Sequence, residues 1–371
     1  MSKKIRLNRA AKTDYATYLG VILAFAVVSL LKGEGMLSRS ITGQLVPICC
    51  YIVMAVSLNL TVGILGELSL GHAGFMSVGA FSGIVAAMSL QSSVPSAELR
   101  LVIAIVVGAA CAAVAGVIVG VPVLRLRGDY LAIVTLAFGE IIKELINCLL
   151  VGHDENGLHI LFNASGSKTV TDLGLTADGT VIIKGAQGAT GTEMLATFTA
   201  GFILIMVTLV IVLNLVRSRS GRAIMALRDN RIAAESVGIN VTKYKLMAFV
   251  TSAALAGAAG ALYGLNFSNL TAAKFNFNTS ILILVFVVLG GLGNIWGSII
   301  AATVLTILPE ALRGFDDYRM LVYAIVLILV MLATNNPQFK TLCSKPLHSI
   351  KALASRAPAR PQKGVAASGK D

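Results

Sequence analysis

The chain alternates long apolar stretches with short polar ones. Nearly unbroken apolar character runs over about residues 15–31, 45–62, 73–90, 101–121, 130–150, 194–216, 246–266 and 320–334. Each approaches the ~20 residues with which an α-helix crosses about 30 Å of hydrocarbon. A further stretch, 280–308, is interrupted by Gly290-Gly291-Leu292-Gly293-Asn294. It is long for one span and short for two full ones, and two short helices meeting at the glycine turn account for it. Lipid cannot satisfy an open backbone, so helices are the expected form throughout. The predicted fold is therefore all-α: a polytopic transmembrane helical bundle of about ten helices, some short or broken.

Composition agrees. Of 371 residues 13% are charged and 56% hydrophobic, with a mean hydropathy of +0.83, against about 25% charged in soluble domains. A disordered chain, a coiled coil and most soluble enzymes are excluded. The net charge of +12 would suit nucleic acid or the positive-inside bias of a membrane protein, and its placement decides. Residues 1–14 carry net +4, residues 217–245 net +5 and the tail 335–371 net +6, with Arg125 and Arg127 in a further short turn. The longest loop, 151–193, carries net −3. The basic segments are expected in the cytoplasm and the acidic loop outside, which makes membrane lipid a partner and nucleic acid not one. Parity closes with both termini cytoplasmic only if 280–308 makes a return trip. The layout is a basic N-terminus (1–14), a membrane domain (15–334) and a basic tail (335–371). No small-residue cleavage site follows the first span before Lys32 and Glu34, so that span is read as retained. Cys49, Cys50, Cys111 and Cys148 lie in apolar segments and Cys343 in the tail, without metal-ligand spacing.

The segment 217–245 stands out among the polar ones. Ala223, Ala226, Ala233, Ala234 and Val237 supply small apolar positions within charged, helix-favouring sequence. They predict a short helix, stopped by Gly238, with one face fit to dock in a groove of another protein. The bland reading is a solvated linker whose arginines enforce topology, although two or three charges would suffice for that.

The Ala233-Ala234-x-x-x-Gly238 pattern resembles the "EAA" coupling loop of permease subunits in ATP-binding-cassette importers, with two departures. Ile232 stands where the first Glu would be, and no Leu-Pro follows the glycine. The fuller runs Gly221–Phe249 and Thr251–Tyr263 are similar to the branched-chain amino-acid permeases of the LivM type, as are Leu68–Phe75 and Val288–Gly297. The resemblance covers most of residues 45–335. It implies a multi-pass permease subunit of the bacterial inner membrane that forms the path for leucine, isoleucine and valine. It also implies a homologous second permease, two ATPase subunits holding ATP and magnesium, and a soluble binding protein, with no cofactor in this chain. Arg222, Arg228, Asp229, Ala233, Ala234, Glu235 and Gly238 would then form the ATPase-coupling loop. Loop 151–193 would meet the binding protein, by its side and size.

Two glycine-rich breaks are candidates for the translocation path. The first, Gly63–Gly74, contains Glu67, Ser69, Gly71, His72 and Gly74, and the second contains Gly291, Gly293 and Asn294. Such breaks let helix ends face a cavity, where a half-helix N-terminus attracts an anion such as an amino-acid carboxylate. Equally, the first could be an ordinary turn near the cytoplasmic surface. Glu140 lies near mid-membrane, where ionisable groups are functional candidates. Its i+3 and i+4 neighbours Lys143 and Glu144 could instead neutralise it. The spacings Gly116/Gly120, Gly260/Gly264 and Gly293/Gly297 fit close helix packing.

Other readings remain. Urea or short amides could replace branched-chain amino acids as substrate. An ion-coupled carrier could use Glu140 and Lys143, but it leaves the docking segment without a role. The chain lacks G-x-x-x-x-G-K-[ST], as a subunit powered by a separate ATPase would. The outer-loop residues His153, Asp154, Glu155 and His159 lack a third well-spaced ligand. No enzyme, catalytic residue or metal site is expected.

Overall fold

A computed structural model describes residues 9–312 except 37, 92, 127–128, 155–156, 164–169 and 177–178, with isolated positions between 318 and 328. The predicted span 320–334, the tail and Arg127 lie wholly or mostly outside the described residues. Residues 1–313 form one compact unit, to which everything below belongs.

The helices fall where the apolar stretches predict them. They are α1 (Arg9–Gly33), α2 (Arg39–Asn59), α3 (His72–Ser89), α4 (Ala97–Val123), α5 (Asp129–Asn147), α6 (Phe198–Arg217) and, further on, α9 (Val241–Gly264). The long stretch near 280–308 is two helices, α10 (Phe277–Gly290) and α11 (Ile295–Ala311), joined through Gly291 and Gly293 in left-handed conformation. Among the described residues, five helical segments are long and apolar enough to cross a membrane: Arg39–Leu65, α3, α4, α6 and α9. Thr17–Gly33, α10 and α11 are shorter apolar helices.

Backbone proximity organises the core. Helices α3, α4 and α9 meet at Gly79, Gly108 and Gly257, where a Cβ on Gly79 would strike the Gly257 backbone and one on Gly257 would strike Ala112 and the Gly108 carbonyl. Gly116 faces Ala253, and Gly260 faces the Met76 carbonyl. Between helices in an apolar medium no hydrophobic difference drives association, so contact area gained by close approach matters most.

Two expectations need correction. The fold is not all-α, because residues from the end of the fifth predicted span through the long loop build an antiparallel sheet. Its strands are β1 (Leu149–Asp154), β2 (Gly157–Phe162), β3 (Thr180–Lys184), β4 (Ala189–Thr190) and β5 (Asn269–Leu270), in the order β2-β1-β3-β4-β5. The local reason is visible in Asp154-Glu-Asn-Gly157, a hairpin signal, followed by Leu158, Ile160 and Phe162 at period two. In register, Val151 opposes Ile160 and His153 opposes Leu158. This apolar face closes over α3 and α4 around a cavity of about 670 Å³. Buried Arg100 of α4 reaches Glu193, beyond the sheet, at 2.9 Å. His159 and Asp154 pair across the strands at 3.1 Å.

The segment 217–245 is likewise not one helix with a single face. It forms α7 (Arg219–Asp229) and α8 (Arg231–Ser236), divided at extended Asn230, whose side chain accepts from Ala233 N and caps α8. Ser218 caps α7 and Asn240 caps α9 in the same way. Gly238 ends α8 at φ +83°, with its N–H on Glu235 O and that of Ile239 on Ala234 O. The break rotates Ala223 and Ala234 inward and leaves Ala233 and Val237 outside.

The packing predicts that Gly257→Val, which overfills the α3–α4–α9 contact, lowers stability by at least the ~1–3 kcal/mol typical of overpacking. Gly43→Ala in α2, where a Cβ meets nothing within 4 Å, should be neutral or stabilising. Thermal melts of the two purified variants in detergent check both.

Candidate functional site

The junction begins with α2. Its last residue, Asn59, is followed by a π-helical turn, Leu60–Leu65, that ends at Gly66 with φ +81°. A π-turn widens the helix by one residue and frees carbonyls from the regular ladder. Arg228 of α7 uses this opening, donating from Nη1 to Gly63 O at 2.7 Å. The stem of Arg228 lies against Gly66, where a Cβ would come within 2.5 Å of Cγ. Buried Lys245, in the first turns of α9, pairs with Glu67 just after the π-turn. Leu60, Ile64 and Leu65 pack with Ile224 of α7 and Ala248 of α9, so the polar ties rest on an apolar base. A cavity of about 230 Å³ remains among Glu67, Leu227, Arg228, Arg231 and Lys245.

Asn59 extends the junction to the second glycine break. Its side chain is fully buried, and an unpaired amide there would be costly. Oδ1 accepts from Gly293 N at 2.8 Å, and Nδ2 donates to Ser298 Oγ of α11 at 2.9 Å. Gly63 is glycine because a Cβ would collide with both Asn59 Oδ1 and Gly293 N. Asn294 caps α11 by accepting from Gly297 N, while Gly291 supplies the left-handed turn.

The remaining site candidates separate into distinct places. His72 is buried, and its Nε2 lies 2.8 Å from Ser57 Oγ. The Ser57 hydroxyl donates to Met54 O, so the imidazole is the donor in that pair. Gly71 faces the Thr135 carbonyl and Gly74 faces Gly139, so both serve the contact of α3 with α5. Ser69 is buried there, and its hydroxyl has no partner among the described residues. Glu140 is elsewhere, on α5. It pairs with Lys143 and accepts from Phe277 N at the start of α10, while Lys143 lies 3.5 Å from Glu144.

Of the residues predicted for the coupling loop, Arg228 reaches the junction. Arg222 donates to Arg217 O, Asp229 stands 3.5 Å from Arg228, and Glu235 pairs with Arg231 at 3.0 Å. Ala234 is buried and Ala233 exposed. Ile232 and Val237 are 80% and 75% exposed, an apolar pair left outside on α8. The sequence reading passed over Asn59, Lys245 and Ser298. Asn59 carries a signal, as an amide inside the apolar run 45–62, whereas Ser298 carries none beyond residue type and Lys245 counts only toward the charge of 217–245.

Comparison with known proteins follows the same segments. The family model for the branched-chain amino acid transport system permease component matches residues 40–331. The high-affinity branched-chain amino acid transport system permease protein LivM of Escherichia coli (strain K12) is 34% identical over 292 residues, 76% of this chain and 66% of the relative. The match thus spans just under two thirds of that relative's length. LivH of the same organism is 35% identical over 118 residues, 31% of this chain and 38% of LivH. The ribose import permease protein RbsC of E. coli (strain K12) is 27% identical over 343 residues, 89% of this chain and 96% of RbsC. No solved structure matches. Residues 40–331 contain both glycine breaks and the helices α7 and α8 that meet them, and on that match the chain belongs to the family of branched-chain amino acid transport system permease components.

Proposed function

We propose that this chain is the membrane-spanning subunit of an ATP-binding-cassette importer for branched-chain amino acids. It would work in the bacterial inner membrane with a homologous second permease, two ATPases that hold ATP and magnesium, and a soluble binding protein. The observation that carries this reading is the way α7 is tied to the bundle. A linker that merely enforces topology needs no contact with the helices. Here Arg228 holds the π-turn of α2, Lys245 holds Glu67, and Asn59 carries the connection on to the α10–α11 turn. Meanwhile α8 presents Ile232 and Val237 outward, as a surface that docks on a partner would. Basic residues concentrated in 217–245 favour the cytoplasmic side, where ATPases act.

On this reading the groups once considered together have different tasks. Glu67, Arg228, Gly293 and Asn294 belong to transmission from the ATPase. Gly71 and Gly74 shape the α3–α5 contact beside it, His72 ties α3 to Ser57 of α2, and Glu140 belongs to the path. The Arg228–Gly63 bond has a charged donor, but the Arg228 side chain is 45% exposed, so solvent screening holds it below the ~1.5–3 kcal/mol of that class. LivM similarity favours leucine, isoleucine and valine over urea, short amides or the ribose named for RbsC.

Two outcomes are expected. In proteoliposomes holding the whole transporter, leucine uptake requires ATP and is abolished by vanadate, with urea and ribose left untransported. Uptake that survives vanadate but collapses with an uncoupler would instead identify an ion-coupled carrier. Arg228→Ala should cut leucine uptake per ATP hydrolysed several-fold, as loss of a partly screened charge-assisted bond implies, with partial recovery in Arg228→Lys. Ile232→Asp should weaken co-purification of the ATPase without changing the melting temperature of the permease.

A further inference from the structure

Outward faces of the bundle differ in chemistry. On α4 the exposed side chains include Val102, Val106, Val114 and Ile118, and on α6 they include Ile203, Val207 and Val210, without a charge among them. These are faces for lipid. The outward face of α5 is different. Tyr130, Ile133, Ile141 and Leu145 are exposed on it together with Glu140 and Glu144, so charge is set into an otherwise apolar face. The side chains of Glu140, Lys143 and Glu144 are 38%, 19% and 65% exposed. With 1.5 Å per residue, Glu140 sits ~17 Å along a helix of ~28 Å, well inside its ends. Charges in the middle of a helix of a membrane bundle face a protein interior or water rather than lipid.

The neighbouring element adds polar groups to the same place. Glu140 binds Phe277 N at 3.1 Å and so holds α5 to the first turn of α10, where Phe277 and Asn278 are exposed. Both signs of charge and a helix start therefore meet beside Ile133, while Ile141, two residues from Lys143, lies round the helix on the far side of Glu140 and Glu144. Each charge is already satisfied by a protein partner. An incoming ammonium can replace Lys143 beside Glu140 or Glu144, and an incoming carboxylate can replace Glu140 beside Lys143. Exchange of one ion pair for another avoids the cost of stripping an unpaired charge, and it leaves the solute free to move on. Ile133 suits an aliphatic side chain.

We infer that the Glu140–Lys143–Glu144 face of α5, with the first turn of α10, is a wetted wall of the translocation path at which an aliphatic zwitterion exchanges with the protein's own ion pairs. The inference rests on the permease reading and specifies which surface serves it and what that surface recognises.

The assembled transporter tests it in a background with all five cysteines replaced and leucine uptake verified. A membrane-impermeant cationic methanethiosulfonate should modify Ile141→Cys and Asn278→Cys at least ~50-fold faster than Val114→Cys and Val207→Cys, the penalty a permanent cation meets in hydrocarbon. Leucine delivered by the binding protein should slow both reactions several-fold. In the uncysteinylated protein, Lys143→Met should raise KM for leucine ~10-fold or more, loss of one paired contact with the solute. Rates at 141 and 278 equal to the lipid-facing controls, in a transporter that takes up leucine normally, overturn the inference. So does modification that leucine leaves unchanged, or an unaltered KM in both Lys143→Met and Glu140→Gln. Failure of the underlying permease reading shows separately, as absence of leucine uptake by the unsubstituted transporter.

Discussion

The buried amide of Asn59 is the constraint on which the junction depends. In an apolar interior its oxygen and nitrogen must both find partners, and the bundle supplies them from one distant place, Gly293 N and Ser298 Oγ. That requirement positions the α10–α11 turn against α2. The turn can approach only because Gly63 lacks a side chain, and the π-turn around Gly63 leaves a carbonyl for Arg228. One amide thereby joins two backbone breaks that lie more than two hundred residues apart. The breaks are complementary, since each satisfies groups that the other exposes.

Much of this architecture was legible because a bilayer imposes few solutions. Apolar length predicts helices, and the glycine run near residue 291 predicts a return turn, which the structure shows as α10 and α11. What escaped was local. The sheet begins inside the apolar run 130–150, at Leu149, and apolar content alone cannot tell a helix end from a strand start. The hairpin signal at Asp154–Gly157 was outweighed by the charge of the loop around it. In 217–245 the alanine spacing suggested a continuous face, yet Asn230 is a strong N-cap, and its side chain on Ala233 N starts a second helix.

The candidate site was legible by residue type and not by geometry. Glu67 and His72 drew notice as ionisable groups in an apolar context, a sound rule, but the rule is blind to partners. Only the fold shows that Glu67 meets Lys245, distant in sequence, while His72 meets Ser57 inside the core. Glu140 and Lys143 were paired correctly from i, i+3 spacing because a helix makes that contact local. Phe277 N was unforeseeable, since it required knowing which helix starts beside α5.

Two of the ion pairs illustrate how burial sorts the roles open to a charge. Lys245 is nearly enclosed, and its partner Glu67 is half-buried against the π-turn. Removing the carboxylate there leaves Lys245 nearly enclosed without its partner, a cost that favours keeping the pair intact. Glu140 and Lys143 are more open, with side chains 38% and 19% exposed. On the proposed reading an arriving zwitterion would bring replacement charges of both signs, so that the pair is stable between encounters and exchangeable during one. The same two residue types would then serve as a joint in one place and yield to a solute in another, and the difference lies in what surrounds them.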